Sequence, residues 1–64
     1  MNASTVSRQI GSFVPALKSS YKVISKDGKV LVLVQDFKIQ LILENAANNF
    51  GYMCVENTMG FEVA

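Results

Sequence analysis

Tyr21 to Asp36, YKVISKDGKVLVLVQD, constrains this chain more than any other stretch. Two apolar segments flank Asp27-Gly28, a pattern that predicts a β-hairpin. Gly accepts a positive φ because it has no Cβ to clash, and Asp tolerates one. Two registers fit. A two-residue type I′ turn sets Lys26 opposite Lys29 and brings like charges side by side. A three-residue loop, Lys26-Asp27-Gly28 with Gly28 left-handed in a G1 bulge, pairs Ser25 with Lys29 instead. Relief of the lysine repulsion favours the second register.

In the second strand, Lys29-Val30-Leu31-Val32-Leu33-Val34, even and odd positions are both apolar. A strand with one face in water alternates polar and apolar residues. This one does not, so both of its faces are expected to be covered. One would meet the chain's own helices. The other calls for more of the chain, a second copy or a partner.

The remaining segments add helices and a second strand pair. Val6, Ile10, Phe13 and Leu17 recur at helical spacing, with Ser4 or Thr5 as a cap. Pro15 would break that helix, since it lacks an N–H and crowds the preceding turn. Ser12 can cap a second short piece in which Pro15 lies in the first turn. The prediction is a two-piece helix ending near Ser19-Ser20.

From Phe37 to Phe50, Asp36 offers an N-cap and Gly51 a C-terminal stop. A helix there would bury Ile39, Ile42, Leu43, Ala46, Ala47 and Phe50. Lys38, Gln40, Glu44, Asn45, Asn48 and Asn49 would turn to water. Phe37 and Leu41 would also point outward, stacked at i and i+4. The alternation of Phe37, Ile39, Leu41 and Leu43 also fits a third strand, but Ala46-Ala47 and the two agreeing caps favour helix.

Tyr52 to Glu56 reads as a strand, Asn57-Thr58-Met59-Gly60 as a turn and Phe61 to Ala64 as a short closing strand. The fold class is therefore α+β: one domain over residues 1–64 in the order α-β-β-α-β-β. An antiparallel sheet centred on the 21–36 hairpin carries its helices on one face.

Length now matters. A 64-residue chain buries only roughly 60% of the surface its unfolded form exposes, so stability is marginal without a staple. The one cysteine, Cys54, excludes an internal disulfide, and without histidine a structural zinc site is not expected. Half the residues are apolar, which points to a homo-oligomer, a dimer first.

Charge is split along the chain. Arg8, Lys18, Lys22, Lys26 and Lys29 face only Asp27 in the first half, whereas Lys38 faces Asp36, Glu44, Glu56 and Glu62 in the second. The two halves could attract each other within a copy or between copies. The N-terminal MNASTVSRQI is too polar for a signal-peptide core. The longest apolar run is about five residues, against the roughly 20 needed to span a bilayer. A cytoplasmic protein without membrane contact is the expectation.

The chemistry of catalysis is thin. Histidine, the commonest general base and metal ligand, is absent. Cys54 has no activating partner in an apolar strand that would raise its pKa. The five carboxylates are scattered singly, and Gly11, Gly28, Gly51 and Gly60 form no phosphate loop. No catalytic, cofactor or metal site is expected.

Two non-enzymatic readings remain. The first is a protein-interaction or regulatory module acting by surface occupation, with Phe37 and Leu41 as its interface candidates. A chain of this style suits an accessory or inhibitor protein of a phage or other mobile element. The alternative is a nucleic-acid-binding protein in which Lys18, Lys22, Lys26 and Lys29 edge a β-ribbon near Tyr21 and Phe37.

Overall fold

A computed structural model describes residues 2–64. The elements are α1 (Ala3–Phe13), a 3-10 helix (Pro15–Ser20), β1 (Tyr21–Lys26), β2 (Lys29–Val34), α2 (Phe37–Asn49), β3 (Cys54–Asn57) and β4 (Gly60–Val63). The fold is α+β in the expected order, with one antiparallel sheet of strand order β1-β2-β4-β3. β2 and β4 are central, so the first hairpin supplies one central strand and one edge rather than the middle of the sheet. Because β2 and β3 are each antiparallel to β4, they run the same way, and α2 carries the chain between them across β4.

The hairpin takes the two-residue turn, and the three-residue alternative is overturned. Lys26 pairs with Lys29 and Ser25 with Val30. Asp27 and Gly28 both have positive φ, 54° and 75°, the type I′ geometry whose twist matches that of the flanking strands. The lysine repulsion is small because both side chains are exposed and water screens them. Lys29 Nζ also leans to Glu62 of β4, at 3.9 Å.

Helix termini follow local chemistry, with two corrections in α1. Its cap is Asn2, whose Oδ1 accepts from Thr5 N–H at 2.8 Å, in place of Ser4 or Thr5. Ser12 caps nothing: it lies inside α1 and donates to the Gln9 carbonyl at 2.8 Å. The break falls at Val14, and Pro15 opens the 3-10 helix, where its missing N–H is harmless. For α2 the Asp36 cap holds, its Oδ1 accepting from the N–H groups of Lys38 and Ile39 at 2.9 and 3.1 Å. Gly51, at φ 88°, closes the other end. Its N–H bonds to Asn48 and that of Tyr52 to Ala47, the paired bonds of a Schellman motif.

Both helices lie on one face of the sheet. Val6 and Ile10 of α1 and Leu43, Ala46 and Ala47 of α2 bury against Val30, Val32, Val34, Phe61 and Val63. Phe13, expected in that stripe, is about half exposed and packs edge-to-face on Phe50 at the core's margin. The buried face of α2 is rotated from expectation: Gln40 is buried and Ile42 exposed. Gln40 is tolerated because its Nε2 donates to Glu44 Oε2 at 2.9 Å.

Among the described residues no helix lies over the opposite face of the sheet, so of the three covers expected for the second face of β2 the chain itself does not supply one. Register places Lys22, Ile24 and Lys26 of β1, Lys29, Leu31 and Leu33 of β2, Glu62 of β4 and Val55 of β3 on that open face. Ile24, Leu31 and Leu33 are shielded only in part, by one another and by the lysine stems.

Candidate functional site: the β3 flank

The sheet has two free edges, and they differ in chemistry. β1 carries Lys22 and Lys26 and no carboxylate. β3 carries Glu56 and no cation, with exposed Val55 on the open face and Met53 just before it. Backbone bonds between Met53 and Ala64 extend the β3–β4 ladder by one pair. β3 therefore offers a short unpaired row of N–H and C=O groups without the lysine guard that β1 has.

Above this edge runs one stripe of α2. Phe37, Leu41, Glu44 and Asn48 follow at steps of four, three and four, on one helical face. Cys54 of β3 fixes which way the stripe points. Its Sγ lies 3.8 Å from both the Glu44 carbonyl oxygen and Asn48 Oδ1, so the Glu44–Asn48 end of the stripe lies over β3. Phe37 is 60% exposed and Leu41 47% exposed. On the other side of the strand, Val55 is 57% and Met53 73% exposed. Exposed apolar side chains thus occur on the helical stripe that turns to the β3 side and on the open face beside β3.

Phe37 and Leu41 are the residues that the sequence singles out, and the structure brings them together. Met53 and Val55 escaped notice because their run reads as an ordinary strand. Only the strand order makes it an edge. Alternation within Tyr52-Met53-Cys54-Val55 was the available signal, since it leaves Met53 and Val55 on one face.

The lysines are arranged otherwise. Lys22, Lys26 and Lys29 share the open face, Lys26 directly opposite Lys29 and Lys22 opposite Leu33. Lys18 stands in the 3-10 helix and joins Lys22 in lining a groove beside α1. Of the aromatics expected near them, Tyr21 lines that groove with Lys18 and Lys22. Tyr21 pairs with Val34 on the covered face, and Phe37 lies on the helical layer. The lysine face therefore presents Ile24, Leu31 and Leu33 rather than rings.

Cys54 is partly buried at the same flank. Burial first, and then the Glu44 carboxylate, push its thiol pKa up, the opposite of what an activated nucleophile needs. Burial also raises the pKa of Tyr21. Among the described residues, no group of three His, Cys, Asp or Glu side chains is placed to hold a metal ion. No helix there is long and apolar enough to cross a membrane. Comparison with known proteins brings no match: no family model fits the chain, and no curated protein or solved structure is significantly similar to it.

Proposed function

We infer that this chain is a small non-enzymatic protein-interaction module that acts by occupying a partner's surface through the β3 flank. One observation carries the reading. An unguarded strand edge carries exposed Val55, with exposed Met53 just before it, and exposed Phe37 and Leu41 lie on the α2 stripe whose other end rests on that strand. An added strand would gain main-chain hydrogen bonds from the edge, and the side chains on either side would supply apolar pockets for it. Isolated exposed apolar residues are ordinary, but several of them on one flank together with an open strand edge suit an interaction surface.

The test is photo-crosslinking in the producing cell. Benzoylphenylalanine at Phe37 and at Val55 should trap protein adducts. The same group at Arg8, exposed on α1 and far from the β3 edge, should not. Equal adducts at all three positions, or none at any, would sink the reading.

A second reading, nucleic-acid binding, is favoured by the shared face of Lys22, Lys26 and Lys29. Phosphate contacts of this kind weaken steeply with salt. Changing the three to Gln should therefore flatten the salt dependence of any oligonucleotide binding. The absence of binding at low salt would remove it.

A further inference from the structure

We propose that the groove at the Tyr21 and Val34 end of the sheet is a binding site for a small amphipathic anion: a carboxylate, phosphate or sulfonate group on an apolar body. It is separate from the β3 flank, since Phe37, Leu41, Met53 and Val55 do not line it.

Topology makes the groove. Tyr21 pairs with Val34, and Leu33 and Asn57 both pair with Gly60. The start of β1, the end of β2 and the β3–β4 turn therefore meet at one end of the sheet. The 3-10 helix arrives there and α2 departs from there. Val34 N–H donates to the Met59 carbonyl at 3.0 Å, which holds the turn against β2. Between these junctions lies a groove of about 1080 Å3, larger than the one of about 260 Å3 beside α1. Such a space is ample for a small molecule.

Its floor is apolar. Val34 is buried, and Leu33 and Ile39 are half-buried, set by the sheet and by the first turn of α2. Leu33 belongs to the open face and Val34 to the covered face, so the groove wraps around the end of β2. Met59 also lines it and is 63% exposed. Its unbranched thioether can reshape around a guest. Covering this surface with an apolar body drives binding.

Charge fixes the sign of the ligand. Lys18 and Lys22 line the groove and are exposed. Among the described residues neither makes an ion pair. Among those residues the lining holds one carboxylate, Asp36, and it is already engaged. Its Oδ1 accepts from the N–H groups of Lys38 and Ile39, and the positive end of the α2 dipole offsets its charge. Two free ammonium groups against one engaged carboxylate select an anion. Exposed hydroxyls of Ser19, Ser20 and Thr58 add donors for its oxygens. An extended polyanion would use the lysines but leave the apolar floor idle.

The probe for the test is anilinonaphthalene sulfonate, a sulfonate on an aromatic body. Its fluorescence reads affinity, and amide shifts in NMR spectra read location. Binding to wild type should saturate at one site, with shifts clustered at residues 19–22, 33–36 and 58–59. N-phenylnaphthylamine, the same rings without the sulfonate, should bind roughly tenfold more weakly. Lys18→Gln with Lys22→Gln should weaken the sulfonate by about the same factor, the worth of two screened charge contacts. Met59→Glu, which sets a carboxylate in the groove, should weaken it too. Arg8→Gln with Lys38→Gln removes equal charge outside the groove and should leave affinity unchanged. Circular dichroism checks that each variant is folded.

Laurate and phenyl phosphate, as competitors, distinguish a lipid-like chain from a soluble aromatic anion. Displacement by either supports the site, and displacement by neither overturns it. Wild type without saturable binding would also overturn the proposal. So would shifts confined to Phe37, Leu41, Met53 and Val55, which would put the probe on the β3 flank. A neutral analogue that binds as tightly as the sulfonate would remove the anion. Equal losses in the Arg8 with Lys38 variant and the Lys18 with Lys22 variant would mean that charge acts without the groove, and would sink the site.

Discussion

Gly60 lies so close to Val32 that a Cβ built on it would overlap the Val32 carbonyl oxygen. Its φ of 148° belongs to backbone that side chains rarely adopt. The two facts have one cause: β4 enters the sheet at Gly60, where the Met59 carbonyl accepts from Val34 N–H at 3.0 Å and the chains are drawn together.

Gly60→Ala should therefore cost about 3 kcal/mol or more, from overlap and backbone strain together. A domain this small has roughly 3–10 kcal/mol of stability, so the loss would take from about a third to all of it. Gly11→Ala is the counterpart. Its Cβ would rest 3.7 Å from Tyr21 Oη, an ordinary contact, and the helical position should gain about 0.5–1 kcal/mol. Urea midpoints measured side by side decide both. A Gly60→Ala protein as stable as wild type would refute the packing at β4.

Asp36→Ala removes the acceptor of two α2 N–H groups and should cost about 1 kcal/mol. Asp36→Asn should recover most of that loss. The check is the urea midpoint, with the helical dichroism signal showing whether α2 frays.

Lys26 faces Lys29 across the hairpin. Lys26→Glu should replace repulsion with attraction and stabilise by about 0.2–1 kcal/mol. The gain should shrink in high salt, where exposed charges are screened. A gain that is unchanged in salt would point to a cause other than the cross-strand charges.

Cys54 and Tyr21 give a pH dependence of definite sign. Both acids have pKa values raised on folding, Cys54 by burial and then Glu44, Tyr21 by burial. The unfolded chain therefore loses these protons first as pH rises. Their contribution is intact below the unfolded thiol pKa near 9.0 and is lost progressively above it. Stability should decline through the alkaline range, and Cys54→Ser should lessen the decline. Alkylation of Cys54 should also be slow in the native protein and fast in urea.

How much of this was legible in the sequence depends on where the deciding interactions lie. The hairpin at Asp27-Gly28, the interruption at Pro15, and the start and stop of α2 at Asp36 and Gly51 could be read directly. In each case a residue acts on backbone within a few positions of itself: a φ that only certain residues tolerate, a missing N–H, a carboxylate within reach of two amides. The alternating and helical spacing of apolar residues likewise sufficed for the α+β class.

The rest was decided by contacts between segments far apart in sequence. The turn register hung on strand twist and on Glu62, a residue more than 30 positions away. The rotation of α2, which buries Gln40 and exposes Ile42, follows from how the helix packs against α1 and the sheet. The placement of β4 between β2 and β3 made β3 an edge and set the Glu44–Asn48 end of α2 above it. Local propensity carries no information about such pairings, because their free energy exists only once both partners are in place.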